Sequence, residues 1–185
     1  IAVAYGFNPE GGTKNFNFTT SDTHSGLHKY MRLVKGIRVP KDGFFLRAES
    51  FYNVATNIDE LEKEDPGLLS SYGGRSLHEQ SHGESFFSVF MSRFKGKGIY
   101  ILDEPEAALS PSRQMAMISR IHELVEQDSQ FIIATHSPII MAYPDSIIYE
   151  IKDGLKAIEY EKTEHYQIMK SFLNNKQKML NILME

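Results

Sequence analysis

The apolar positions change texture along the chain. "IAVAYGF" at the start is an apolar run halted by Gly6, the pattern of a helix end. "NPEGGTKN" (8–15) is turn chemistry. "NFNFTT" (15–20) alternates and predicts a strand. Residues 27–39 and 43–50, separated by the turn "PKDG", predict two more, and with them an antiparallel portion in the first quarter. From 53 to 80 the chain is polar and mixed. There "NIDELEKED" predicts a short helix ended by Pro66-Gly67, and "SSYGGRS" a flexible connection.

From Ser81 the periodicity sharpens. Apolar residues at 86, 87, 90, 91 and 94 make a helical stripe. "GIYIL" (98–102) is apolar without a break, as a strand buried on both faces would be. Residues 110–127 predict a second helix, with Ser110 as N-cap, Pro111 at the first helical position, and Met115, Ile118, Ile121 and Val125 along one face. "QFIIATHSP" (130–138) predicts another buried strand, 146–160 a hairpin turning at Asp153-Gly154, and the remainder helix. Strands alternating with helices predict an α/β fold, a mostly parallel sheet flanked by helices.

Composition narrows the function classes. The 185 residues are 41% hydrophobic, enough for a core, and carry a net charge of −4. The whole chain is therefore no basic nucleic-acid binder, though a local basic face is compatible with that balance. With Cys at 0, disulfides and thiolate metal sites are excluded. No apolar run approaches the roughly 20 residues of a membrane helix, and a cytoplasmic protein without membrane insertion is expected.

The chemistry gathers at strand ends. A parallel sheet binds ligands at the carboxyl ends of its strands, which is where Asp103, Glu104 and His136 would emerge. An acid ending a buried strand is costly unless a cation meets it, and Mg2+ is the usual answer where phosphates are handled. The second acid can then position an attacking water. Upstream, Ser81 and Glu84 form S-x-x-E, a capping box before an apolar run. The helix start it fixes favours an anion, and Gly83 would let a phosphate come close.

These stretches resemble the C-terminal part of an ABC-type P-loop ATPase, in the soluble branch akin to DNA-repair and chromosome-maintenance ATPases. "GIYILDE" is similar to the Walker B strand, "PEAALS" to the D-loop, "SHGES" to the signature and "IIATHSP" to the switch loop, in the family's order, over about residues 1–150. The resemblance implies a P-loop NTPase-like fold with an antiparallel β portion and a small helical signature subdomain. It implies ATP and Mg2+, with Asp103 holding the metal through its water shell, Glu104 as general base and His136 on the γ-phosphate. It also implies a head-to-tail, ATP-dependent dimer with a second copy. Ser81 and Gly83 would reach the other copy's γ-phosphate, and Ser110 would lie along the seam. His82 replaces the first signature glycine and Glu84 the glutamine. "FFLRAES" stands as the Q-loop, with Glu49 where glutamine is expected.

The phosphate loop G-x-x-x-x-G-K-S/T is not found. "GFNPEGGT" lacks its lysine and opens no helix. The expectation is one ATPase domain over 1–185, truncated at its N-terminus and inactive without that loop. Its parts are 1–50 (β portion and Q-loop), 51–97 (signature region), 98–160 (core) and 161–185 (helix). Two rivals stand beside this. One is a non-catalytic dimerisation or regulatory module of degenerate ATPase fold. The other reads "HEQSH" (78–82) as the zinc-hydrolase pattern H-E-x-x-H, which requires His78 and His82 on one continuous helix. The process driven, and whether DNA, a permease or another protein is the partner, is not written in these motifs.

Overall fold

The computed structural model describes residues 1–16 and 25–184, so most of the strand expected at 15–20 lies outside the described residues. The chain divides into two compact units, Ile1–Ala134 and Thr135–Glu185.

The first unit is built on a parallel sheet of β1 (Asp42–Arg47), β2 (Gly98–Asp103) and β3 (Gln130–Ala134), in that order. In the central strand, Ile99, Tyr100, Ile101 and Leu102 are all buried, as an uninterrupted apolar run demands. Register pairs Phe44 with Tyr100 and Leu46 with Leu102, so these four share one face. Phe94 covers that face, stacked on Tyr100 at 4.3 Å and tilted against Phe44 at 5.6 Å. On the other face Phe45, Ile99 and Ile101 pack with Ala2 and Phe7. Ala2 opens α1 (Ala2–Tyr5), and Phe7 follows its left-handed stop Gly6, φ 102°.

Three longer helices complete the unit: α2 (Phe51–Glu64), α3 (His82–Arg93) and α4 (Pro111–Glu126). The first starts well before the expected "NIDELEKED". Phe51, Val54, Ala55 and Ile58 are its buried residues, an i, i+3, i+4, i+7 stripe that packing completes.

The antiparallel portion expected in the first quarter is not there among the described residues. Gly26–Tyr30 is a 3-10 turn and 31–40 has no regular structure. Val34, Ile37 and Val39 stay exposed, outside any strand. The one antiparallel feature described there is the bridge Gly12–Phe45. "SSYGGRS" is also more ordered than its composition implies. Tyr72 is buried, and Gly73 (φ 107°) lies so close to α3 that a Cβ would stand 1.9 Å from Ser88 Oγ. β3 is half-buried rather than fully buried, as an edge position allows.

The second unit holds α5 (Pro138–Met141), the antiparallel hairpin β4 (Ile148–Lys152) and β5 (Gly154–Ile158), then α6 (Glu164–Asn174) and α7 (Lys176–Met184). The hairpin turns where Asp153-Gly154 predicts. Thr163 caps α6 by accepting from the Tyr166 N–H at 3.4 Å and donates to the Tyr160 carbonyl at 2.8 Å.

Candidate functional site

The carboxyl ends of the parallel strands set the site. Arg47, Asp103 and Ala134 are register partners at the end of β1, β2 and β3. The next residue, Glu104, takes up a left-handed backbone, φ 47° and ψ 51°. That conformation is uncommon for a residue with a Cβ and costs on the order of 1–3 kcal/mol. It is held by the Glu104 N–H donating to the Ala134 carbonyl at 2.9 Å, by buried Pro105 behind it, and by the 3-10 turn Pro105–Ala108. Strain held by such surroundings is a mark of functional positions.

Asp103 is met by a residue that the sequence reading passed over. Arg47 Nε lies 3.1 Å from Asp103 Oδ2, and its Nη2 pairs with Glu49. One guanidinium thus joins the strand-end acid Asp103 to Glu49, the residue expected at the Q-loop. Glu49 itself is exposed, 79% for its side chain, against 27% for Arg47 and 37% for Asp103. The signal was present in the sequence: a cation ending a strand, four residues before an apolar helix stripe. A lone arginine there reads as solvated until register sets it opposite Asp103.

The start of α3 forms the capping box. Glu84 accepts from the Ser81 N–H at 3.1 Å and from the Ser81 hydroxyl at 2.7 Å. These bonds, with Arg113 3.8 Å away, hold the Glu84 carboxyl below the usual carboxylate range. Gly83 serves a packing need that the sequence did not disclose. A Cβ on it would stand 2.5 Å from the Ala108 carbonyl oxygen, so the signature-like helix start lies directly against the D-loop-like turn. Leu109 is buried behind that turn and its carbonyl accepts from buried Gln114 at 2.9 Å. Ser110 caps α4, its hydroxyl accepting from the Arg113 N–H at 3.4 Å. Gly83→Val should therefore cost about 1–3 kcal/mol, since a backbone carbonyl cannot swing away as a side chain can. Urea unfolding of the two proteins measures it, and equal midpoints would refute the close approach.

His82 turns its ring edge to Phe51, centroids 5.7 Å apart. His78 lies in a separate 3-10 turn, Leu77–Glu79, where its Nε2 bonds the Thr56 hydroxyl at 3.0 Å. Between them Gln80 and Ser81 are extended, so the two histidines do not share a helix face and the zinc-hydrolase reading loses its geometry. His136 belongs to the second unit, where its Nδ1 is 3.1 Å from His165 Nε2 on α6.

Among the described residues no group of three or more His, Asp or Glu could hold a metal unaided. The strand-end carboxylate of Asp103 is a donor of the kind Mg2+ takes, one or two carboxylates with water and phosphate oxygens filling its shell. Asp103 is the residue that would hold it.

The family model described as "AAA ATPase domain" matches residues 77–141. That stretch contains Ser81, Asp103, Glu104, Ser110 and His136, and stops short of Glu49. Over 103 residues the chain is 29% identical to the macrolide export ATP-binding/permease protein MacB of Psychrobacter cryohalolentis, and equally so to that of Psychrobacter arcticus. Each likeness covers 56% of this chain and 15% of the relative, so the chain spans a small part of these proteins. The parallel sheet and these matches together support a P-loop ATPase of the ABC/AAA type.

Proposed function

We propose that the chain carries the hydrolytic half of an ABC-type ATP site that works as a head-to-tail dimer in the complete protein. The observation that carries this reading is Asp103-Glu104 at the carboxyl end of the central buried strand, with Glu104 fixed in a left-handed backbone. In the proposed reaction Glu104 takes a proton from water as the water oxygen attacks the γ-phosphorus, and the bond to the β–γ bridging oxygen breaks. Mg2+, when bound, supplies charge neutralisation at the phosphates, and Asp103 holds its water shell. His136 keeps the γ-phosphate contact that the resemblance gives it. The start of α3, at Ser81, His82 and Gly83, would offer backbone N–H groups to the nucleotide of the second copy. Ser110 would line the seam between copies. Glu49 is the proposed Q-loop residue.

The complete protein is cytoplasmic in this reading and serves a protein or DNA partner. No helix of the described residues is long and apolar enough to cross a membrane. Residues 1–185 alone, without a lysine-bearing phosphate loop, should bind ATP poorly.

The test is an ATP titration of this chain beside the complete protein, with and without added DNA. Binding and slow hydrolysis by the complete protein alone is the expected result. Failure of the complete protein to bind ATP would replace this reading with a non-catalytic module of the same fold.

A further inference from the structure

We infer that Arg47 is a standing counter-ion for Asp103, one that keeps free divalent metal off the strand-end acid until metal arrives with nucleotide. The inference rests on the ATP-site reading above. Its basis is geometric. Arg47 and Asp103 are partners at the last register position of β1 and β2, so the sheet itself fixes their separation. The Arg47 side chain is only 27% exposed and spans two carboxylates, its Nε 3.1 Å from Asp103 and its Nη2 paired with Glu49.

Charge explains why the cation is needed. Glu49, Asp103 and Glu104 bring acids to one end of the sheet, and a half-buried carboxylate without a partner is unfavourable. Arg47 supplies the neutralising charge from within the chain. The same charge opposes a bare divalent ion, by repulsion and by occupying a lone-pair direction of Asp103 Oδ2. A metal bound to triphosphate brings its own excess of negative charge and meets no such barrier. Arg47 is thus a positioning residue: it holds Asp103 ready and sets the order in which metal and nucleotide enter.

The experiment measures Mn2+ binding to the complete protein by electron paramagnetic resonance, first without nucleotide. Arg47→Gln should bind Mn2+ roughly tenfold more tightly than the wild type, the scale of removing one nearby charge at a partly screened site. Arg47→Lys, which keeps the charge, should resemble the wild type. Arg47→Gln combined with Asp103→Asn should lose the gain, which ties it to that carboxylate. With ATP added, wild type and Arg47→Gln should retain Mn2+ alike. Unchanged or weaker nucleotide-free Mn2+ binding in a folded Arg47→Gln protein, checked by circular dichroism, would overturn the inference. A wild type that takes up no nucleotide while Arg47→Gln gains Mn2+ would sink the ATPase reading and leave the counter-ion role standing.

Discussion

Glu104→Gln in the complete protein should bind ATP normally and hydrolyse it about 10²–10⁴-fold more slowly, the range that a positioned general base contributes. The amide keeps the size and hydrogen-bonding reach of the carboxylate but cannot take the proton of an attacking water. The left-handed backbone at Glu104 is held by its own N–H to the Ala134 carbonyl and by Pro105, both of which the substitution keeps. The substitution should therefore leave fold and nucleotide affinity in place. A second consequence follows from the dimer reading: with hydrolysis blocked, the ATP-held pair should persist. Size-exclusion chromatography with ATP should show a dimer for Glu104→Gln and a mixture for the wild type. Retained hydrolysis would remove Glu104 from the base role, and a Glu104→Gln protein that stays monomeric with ATP would remove the sandwich.

The strand that ends on these acids was legible because its signal is local. An unbroken apolar run followed by Asp-Glu-Pro needs no partner to be read, and the capping box at Ser81 and Glu84 and the turn at Asp153-Gly154 are equally short-range. What the sequence hid depended on distant partners. Phe44–Leu46 looks like one arm of a hairpin with 27–39, yet its partner is β2, more than fifty residues on in the chain. The face of α4 shows a subtler failure. Met115, Ile118, Ile121 and Val125 looked like the core stripe, but Gln114, Met117, Ile121 and Leu124 are the buried residues, while Met115 is 57% exposed. A step of one residue turns a helix face by about 100°, and the residue that fixes the rotation is polar. Gln114 is buried because its side-chain amide donates to the Leu109 carbonyl, a bond that no hydrophobic pattern can register. Arg47 was overlooked for a related reason, since its importance comes from register with Asp103 and not from its neighbours in sequence.

The largest effect on stability should come from the opposite end of the same strands. Arg93, the last residue of α3, sets its Nη1 2.9 Å from each oxygen of Asp42, at the start of β1. The Tyr100 hydroxyl, from β2, lies 2.9 Å from Asp42 Oδ2 and also bonds the Lys95 carbonyl. Burial, and then the hydrogen bond to Asp42, push the Tyr100 phenol above its usual range. Both members of the ion pair are only 18% exposed, so neither can be released to water without moving the helix. Arg93→Leu would take away the counter-ion of the Asp42 carboxylate while leaving its bond from the Tyr100 hydroxyl. Removing one partner of a buried pair costs about 3–5 kcal/mol, a large share of the roughly 5–15 kcal/mol that holds a domain together. Adding Asp42→Leu to Arg93→Leu should recover much of that loss, because an apolar pair leaves no unmet charge. Urea unfolding of the single and double variants of the complete protein decides between burial and a mere surface contact. A loss below about 1 kcal/mol in Arg93→Leu would be the surface result. The length of β1 and β2 separates this network from Asp103 by roughly 16 Å, five steps of strand rise. The folded fraction of Arg93→Leu should therefore bind ATP as the wild type does, which makes stability and nucleotide binding separately measurable at the two ends of one strand.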